Sequence, residues 1–339
     1  MRRLPSLAKA KTCLCILGAA LGFGLWLRAG WGVGAPQEQP PGADTTLKIT
    51  TSVVNVYAVV RDKQGRLIPD LNRQDFELAE DNVSQQIRYF SRETDTPLTL
   101  GLLIDTSVSQ GRVLPIEQQE AKAFLREVMR PKDLAFVIHF DLEVELLRDL
   151  TANQRLLASA IDETVINAGG RGPLPGTAPG PGIGGTHLFD AVYLAANELM
   201  KNEIGRKVLI LLSDGEDQGS RMKLNEALEA AQKADIILYS VDVVDREFYS
   251  RRGGGFGFSG DSVLKKLAEE SGGRVIRVDN PRETALAFEQ LARELRTQYS
   301  LGYTPSHAAR DGSFRKIRVQ VHNGDYKVQA RRGYYAPGG

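Results

Sequence analysis

Cysteine is scarce in this sequence of 339 residues, and its two cysteines, Cys13 and Cys15, both lie near the N-terminus. Neither follows the leucine and small residues that mark a lipoprotein processing site. The rest of the chain contains no cysteine, which excludes stabilisation by disulfides. We therefore expect an ordinary hydrophobic core, which a chain of this length can form.

A charge excess of one sign is lacking as well. Lysine and arginine number 43 and aspartate and glutamate 42, which leaves a formal net charge of +1. No global field attracts the chain to nucleic acid or to a membrane surface, so neither is expected as a partner. The partner has to be sought in a local site.

The apolar run near the N-terminus, Cys13 to Leu27, falls short of the roughly 20 residues that cross a bilayer. Basic residues precede the run, and small residues, among them Gly32 and Gly34, follow it. This pattern predicts an export signal over residues 1–35, cleaved after Gly34, and a final location in the periplasm or outside the cell. The alternative is an uncleaved membrane anchor held at the interface by Arg28 and Trp31.

The composition then changes along the chain. Residues 36–46 are rich in Pro, Gly, Gln and Asp, which bury little apolar surface, and they are predicted to form a linker. Residues 47–92 contain short runs of alternating apolar residues, which predict the first part of a small all-β module. Residues 298–339 return to strands and predict its second part. Because isolated hairpins are marginal in water, we expect the two parts to pack into one sandwich-like module.

Residues 97–297 alternate short apolar strands with amphipathic helices. Strands such as Leu98–Ile104 and Val208–Leu212 are apolar throughout, as strands covered on both faces must be. This pattern predicts an α/β domain with a doubly wound, mostly parallel sheet, inserted in the β module.

Polar residues follow two of these apolar strands. The sequence Asp105-Thr-Ser107-Val-Ser109 comes after the first, and Asp214 lies just past the second. Open parallel sheets bind ligands at the carboxyl ends of their strands, so Asp105 and Asp214 are expected at one edge. Between them in sequence, Thr186 follows two glycines, enters a helix from a Gly/Pro-rich loop and offers a third oxygen.

This arrangement resembles the metal-ion-dependent adhesion site of the von Willebrand factor A (VWA) family. The likeness covers about residues 98–297, and the flanking β segments with the export signal resemble a bacterial, acidobacterial-type subgroup. The resemblance implies a VWA fold and a bound divalent cation. It also implies that the hydroxyls of Ser107, Ser109 and Thr186 touch the ion, while Asp105 and Asp214 mostly hold its waters.

Hard oxygen ligands suit Mg²⁺, or Mn²⁺ as a close substitute. With neutral hydroxyls around it, the ion would keep much of its positive charge and accept a carboxylate from a partner. We therefore predict a metal-dependent binding or adhesion protein, not an enzyme, whose protein ligand offers an acidic side chain. Ser109 and Thr186 also suit a simpler role as helix caps.

Two other functions fit the same residues. A metal-assisted hydrolase would need Asp105 or Asp214 as its general base, because the four histidines offer no evident one. The second alternative is a structural module with a non-functional metal site.

The sequence Gly255 to Gly260 also fits a dinucleotide-binding fingerprint. That motif needs its first glycine directly after a strand, whereas residues 245–252 separate Gly255 from the preceding strand.

Overall fold

The computed structural model describes residues 53–92, 96–167, 185–243, 259–307 and 309–338. The predicted export signal and linker, and the fingerprint apart from its last two residues, lie outside these ranges. In the part of the chain that is described, no helix has both the length and the apolar character needed to cross a membrane.

The first strands of the chain bury alternating apolar residues. Val56, Ala58 and Val60 are buried in the first of them, and a turn with Gly65 at φ 80° follows. The strands are β1 (Val54–Arg61), β2 (Phe76–Glu80), β3 (Val83–Gln85) and β4 (Ile87–Arg92).

The α/β part then alternates strands with helices. Its strands are β5 (Leu98–Asp105), β6 (Leu134–Phe140), β7 (Val144–Thr151), β8 (Arg206–Leu212), β9 (Ile236–Val243) and β10 (Val275–Val278). The described helices are α1 (Leu114–Val128), α2 (Gln154–Glu163), α3 (Leu188–Leu194), α4 (Leu224–Lys233), α5 (Ser259–Ser271) and α6 (Thr284–Arg296). A π-helical segment, Ala195–Met200, continues α3, and short 3₁₀ turns lie at Arg73–Asp75, Val108–Gln110 and Pro281–Glu283.

The central sheet has the strand order β10-β9-β8-β5-β6-β7, and its pairs are parallel except β6 with β7. All residues of β5 and β8 are buried, because helices cover both faces. One face packs against α1, α2 and α6, and the other against α3, α4 and α5. The predicted doubly wound, mostly parallel sheet is confirmed.

The last strands return to the beginning of the chain. They are β11 (Tyr299–Tyr303), β12 (Phe314–Val321), β13 (Lys327–Ala330) and β14 (Gly333–Tyr335). Together with the first four they form two sheets of order β13-β1-β11-β4 and β14-β12-β2-β3, which share one apolar core. The prediction that the α/β part is inserted in a sandwich-like β module is therefore confirmed.

Three details differ from the predicted elements. The amphipathic pattern predicts a helix around Glu117 to Met129, whereas α1 begins at Leu114, because Pro115 is tolerated in a first turn. Strands β3 and β14 were not predicted, since three residues are too few to show a period.

The β module and the α/β part belong to the same compact unit. Arg61 of β1 forms a 2.6 Å ion pair with Glu294 of α6, which is almost fully buried. Gln298 donates a 3.0 Å hydrogen bond to the hydroxyl of Tyr239 in β9. These polar contacts fix the orientation of the module on the α/β part.

Candidate functional site

Two neighbouring parallel strands carry acidic residues to one edge of the sheet. Ile104 in β5 pairs with Leu212 in β8, so both strands end at the same level. Asp105 is the last residue of β5, and Asp214 lies two residues beyond β8. The carboxyl edge of the sheet is therefore acidic, as predicted from the positions of the strand ends.

The carboxylate of Asp105 ties the two strand ends together. One of its oxygens accepts a 2.9 Å hydrogen bond from the backbone N–H of Ser107, and the other accepts a 2.6 Å bond from the hydroxyl of Ser213. The Ser213 hydroxyl in turn accepts a 3.0 Å bond from the N–H of Gly215. Asp105 is fully buried. Its orientation is thus fixed by the loops that follow β5 and β8.

A 3₁₀ turn, Val108–Gln110, brings the hydroxyls of the first loop towards Asp214. The Oγ atoms of Ser107 and Ser109 lie 3.0 Å apart. The side-chain amide of Gln110 donates to Ser109 Oγ at 3.3 Å and to an oxygen of Asp214 at 2.9 Å. Four of the five predicted site residues are therefore joined in one hydrogen-bonded array.

Thr186, the fifth predicted residue, lies on a third loop, which contacts the segment that follows Asp214. Its backbone pairs with Gln218, four residues past Asp214, through hydrogen bonds of 2.9 and 3.0 Å. A Cβ atom on Gly185 would lie 2.6 Å from Leu142 and 3.0 Å from the carbonyl oxygen of Gln218, so this close approach requires glycine. Gly184, the first of the two glycines, lies outside the described residues.

Burial and mutual repulsion make the edge electrostatically unfavourable for carboxylates. Burial, reinforced by the negative charge of Asp214, raises the pKa of Asp105 to about 7. Burial raises the pKa of Asp242, at the end of β9, to about 6, although Arg277 acts in the opposite direction. An apoprotein with all these groups ionised would carry uncompensated buried charge.

Glu117 adds a further carboxylate beneath the site. It is fully buried on α1, and neither of its oxygens has a hydrogen-bond partner within the described residues. Burial is the main cause that raises its pKa well above the ordinary value, followed by the charges of Asp105, Asp214 and Asp242. A buried carboxylate without a partner is costly unless positive charge lies nearby.

These residues fit a small divalent cation. The edge offers hydroxyl and carboxylate oxygens, the hard ligands that Mg²⁺ and Mn²⁺ prefer. Within the described residues, the ion pair found for its buried carboxylates is that of Asp242 with Arg277. No group of three or more His, Cys, Asp or Glu side chains is placed to hold a metal among the residues described. A site here would therefore depend on serine and threonine hydroxyls.

Sequence reasoning did not single out Gln110 or Glu117. Glu117 could have been found, because Leu114, Ala121 and Phe124 share its face of α1 and mark it as an acidic residue at a core position. Gln110 had no such signal, since its reach to Asp214 depends on the 3₁₀ turn.

The last glycine of the dinucleotide-like sequence has a packing role. A Cβ atom on Gly260, in the first turn of α5, would lie 2.2 Å from the carbonyl oxygen of Asp214 and 2.9 Å from the backbone of Gly215. Glycine at position 260 therefore lets α5 approach the loop that carries Asp214.

A family model described as von Willebrand factor type A domain matches residues 179–291. No curated protein matches the sequence.

Three solved structures illustrate the similarity. Proximal thread matrix protein 1 from the mussel byssus is 15% identical, with a TM-score of 0.49, over 64% of this chain and 51% of its own. A von Willebrand factor type A protein from Catenulispora acidiphila is 11% identical, with a TM-score of 0.47, over 77% and 72%. The vWF domain of the pilus tip protein Mfa5 from Porphyromonas gingivalis is 15% identical, with a TM-score of 0.42, over 59% and 95%.

This chain thus matches about half the length of the mussel protein. With TM-scores below 0.5, the three structures carry no functional inference. The family match rests on the sequence itself and falls within the α/β part. On this basis, residues 179–291 of this chain are similar to a von Willebrand factor type A domain.

Proposed function

We propose that this protein binds a partner protein through a divalent cation held at the carboxyl edge of its central sheet. The cation would be Mg²⁺ or Mn²⁺, and the partner would offer an acidic side chain. The proposed ligands, directly or through water, are Asp105, Ser107, Ser109, Thr186 and Asp214. Following the N-terminal sequence, we place this activity in the periplasm or outside the cell.

One observation supports the proposal most strongly. The hydrogen-bonded array from Asp105 through Ser107, Ser109 and Gln110 to Asp214 gathers oxygen atoms that suit a hard cation. Among them is the buried carboxylate of Asp105, which forms no ion pair within the described residues. Burial strengthens the attraction of such a group for positive charge, because the local dielectric is low. A bound cation would supply that charge and leave part of it open to a carboxylate from outside.

The residues themselves have distinct roles in this proposal. Asp105 is immobilised by Ser107 and Ser213, so its oxygens would hold the ion's waters without rearrangement. Ser107 and Ser109 contribute neutral hydroxyls, which neutralise none of the cation's charge. Thr186 enters from a separate loop, so a partner that binds there could also contact residues around Gln218.

Cation binding is tested first, by calorimetric titration of the chelated protein with MgCl₂ and MnCl₂. We expect saturable binding to the wild-type protein and none to the Asp105→Ala variant. The matched control is Asp149→Ala, which removes an exposed aspartate from edge strand β7. Circular dichroism is used to check that both variants remain folded. Equal cation binding by wild-type and Asp105→Ala protein would contradict the proposed site.

Partner binding is tested with an array of peptides in which each acidic member has an amide counterpart. We expect capture of peptides with Asp or Glu in MgCl₂, and loss of capture in EDTA or on Asp105→Ala substitution. Capture that persists in EDTA would point instead to a structural or metal-independent binding module. A pull-down from native extract with and without EDTA then isolates the natural partner.

A further inference from the structure

A cavity of about 520 Å³ lies at the opposite, amino end of the central sheet. It opens between the first residues of β8 and β9, the end of α4, the start of β1 and the segment from Arg331 to Pro337. The β module thus forms one wall and the α/β part the other. Neither the site at the carboxyl edge nor the proposed function uses this cavity.

Lys207 is the unusual residue in its lining. It is only 7% exposed, and within the described residues its ammonium group has no hydrogen bond or ion pair. The preceding residue, Arg206, donates to the carbonyl oxygen of Leu295 at 2.5 Å. Because strand neighbours point to opposite faces, Lys207 projects from the other face, beside its parallel partner Ile236.

The other charges in the lining are already engaged or lie beyond ion-pair distance. Arg331 pairs with Asp235 and donates to the carbonyl oxygen of Asn55 at 2.5 Å. Lys233 forms a 2.7 Å ion pair with Glu229, which lies outside the lining. Three basic and two acidic residues, Glu203 among the latter, leave the lining with a net charge of 3 − 2 = +1.

An enclosed ammonium group without a partner favours an anion. Burial lowers the pKa of Lys207, although Asp235 and Glu203 act in the opposite direction. A ligand carboxylate would restore the interactions that the ammonium group loses on burial, and in low dielectric such a bond is strong. A single ammonium group that has no partner within the described residues suits a monoanion better than a dianion.

Apolar and aromatic residues line part of the remainder of the cavity. Ile236 and Ile237 lie on the sheet side, and Tyr334 and Tyr335 lie on the module side. The Tyr334 ring is held 5.5 Å from the guanidinium carbon of Arg331, and the Tyr335 ring lies 5.2 Å from the ammonium nitrogen of Lys233. Fixed rings of this kind provide a flat contact for an apolar ligand body.

We propose that this cavity binds a small organic monocarboxylate, with the carboxylate on the ammonium group of Lys207 and the apolar body between the isoleucines and the tyrosine rings. It would be a second ligand site, at the opposite end of the strands from the proposed metal site. Since its walls come from both parts of the unit, the ligand would also brace the β module against the α/β part.

Calorimetric titration of the full chain with phenylacetate tests the proposal, with phenylacetamide as the neutral comparison. EDTA is present throughout, so that a carboxylate cannot report on a metal-loaded site. We expect saturable binding of phenylacetate, at least tenfold weaker binding of the amide, and at least tenfold weaker binding of phenylacetate to Lys207→Gln. The control Lys132→Gln, which removes an exposed lysine before β6, should bind like the wild type.

The proposal is overturned if phenylacetate shows no saturable binding, if the amide binds as well as the acid, or if folded Lys207→Gln binds as well as the wild type. Should Lys207→Gln fail to fold, the comparison of acid and amide on the wild-type chain still decides. None of these outcomes depends on the metal site, so failure here leaves the proposed function untouched.

Discussion

The hydroxyl of Ser213 donates a 2.6 Å hydrogen bond to the carboxylate of Asp105, which lies 108 residues earlier in the chain. This bond joins the ends of two parallel strands at the point where the proposed cation would bind. It is buried, so its loss would leave an acceptor without a partner. In the proposed function, this hydrogen bond holds the Asp105 carboxylate in position before a cation binds.

We expect Ser213→Ala to lower the unfolding free energy by about 1–3 kcal/mol, because Asp105 loses a buried donor. The same change should weaken Mg²⁺ binding several-fold, since the carboxylate is no longer held in place. Urea denaturation in EDTA and calorimetric titration with MgCl₂ measure the two effects. Ser84→Ala, at an exposed position of β3, is the control and should change neither. Unchanged Mg²⁺ affinity in Ser213→Ala would show that the link does not organise the site.

We expect Glu117→Gln to have opposite effects on the unfolding free energy and on the affinity for Mg²⁺. Within the described residues this buried carboxylate has no hydrogen-bond partner. Replacing it by a neutral amide should raise the unfolding free energy of the chelated protein by about 1–3 kcal/mol. Removing its negative charge should also weaken Mg²⁺ binding. Thermal denaturation in EDTA and in MgCl₂ measures both effects. Compared with the wild type, the variant should have a higher midpoint temperature in EDTA and a smaller increase of that temperature when MgCl₂ is added.

The control for that experiment is Glu127→Gln, on the solvent side of the same helix, where the carboxylate lies 3.6 Å from Arg296. Exposed ion pairs contribute little to stability, so this variant should resemble the wild type in both conditions. If Glu117→Gln instead destabilised the chelated protein, the carboxylate would have a favourable partner, and its proposed electrostatic role would be wrong.

We expect Gly260→Ala to weaken Mg²⁺ binding although Gly260 is not one of the proposed ligands. The added methyl group would lie 2.2 Å from the carbonyl oxygen of Asp214, so either α5 or the Asp214 loop must move. We expect a loss of about 1–3 kcal/mol in unfolding free energy and at least tenfold weaker Mg²⁺ binding. Gly324→Ala is the control, because nothing lies within 4 Å of its added atom. Equal Mg²⁺ affinity in both variants would exclude this packing as a determinant of the site.

The stability of the β module should fall in alkaline solution. Tyr303 and Tyr334 donate hydrogen bonds of 2.6 and 3.0 Å to the same oxygen of Glu80. Burial, and then the bond to Glu80, raise the pKa of Tyr303 above its ordinary value. Because the folded pKa is higher than the unfolded value of about 10, this contribution is complete below pH 10 and is lost as the pH rises further.

Tyr303→Phe should therefore lower the unfolding free energy by about 1.5–3 kcal/mol at neutral pH and flatten its decline above pH 10. Urea denaturation between pH 7 and pH 11 measures both. Tyr89→Phe is the control, since Tyr89 is 59% exposed, and it should follow the wild-type curve. A Tyr303→Phe curve parallel to that of the wild type would contradict the assigned role of this hydroxyl.

A chain ending at Thr297 should lose the order of its first strands. Strand β1 pairs with β11 on one side and with β13 on the other, so this truncation removes both partners. We expect amide hydrogens in Val54–Arg61 to exchange rapidly, while those of β5 and β8 remain protected. Full protection of β1 in the shortened chain would mean that the first strands are stable without their partners.

The sequence predicts the sheet and its acidic edge for a simple reason. A strand buried on both faces has to be apolar throughout, so the acidic residue that ends the apolar run, Asp105, marks the end of the strand. Asp214 follows from the same rule. Covering helices and parallel order then place both residues at one edge.

Other features depend on contacts that no local pattern records. Gln110 reaches Asp214 only because of the turn between them. Lys207 reads as an ordinary polar residue at the start of a strand, and its enclosure arises from the segment around Tyr334, which lies far away in sequence. Strand β3 is too short to display a period. The sequence did not predict these features because they depend on tertiary contacts and not on local secondary-structure propensity.

The pairing of β1 with β11 also has a consequence for biosynthesis. Val54 faces Tyr303 across this pair, so the first of the described strands has neither of its neighbours until residues 299–330 have been made. The α/β part, built from shorter crossovers, is able to form its sheet in the meantime. Until then β1 presents an unpaired edge, and such edges promote aggregation in nascent chains. We therefore expect chaperone dependence during production to be greatest for the two outer segments.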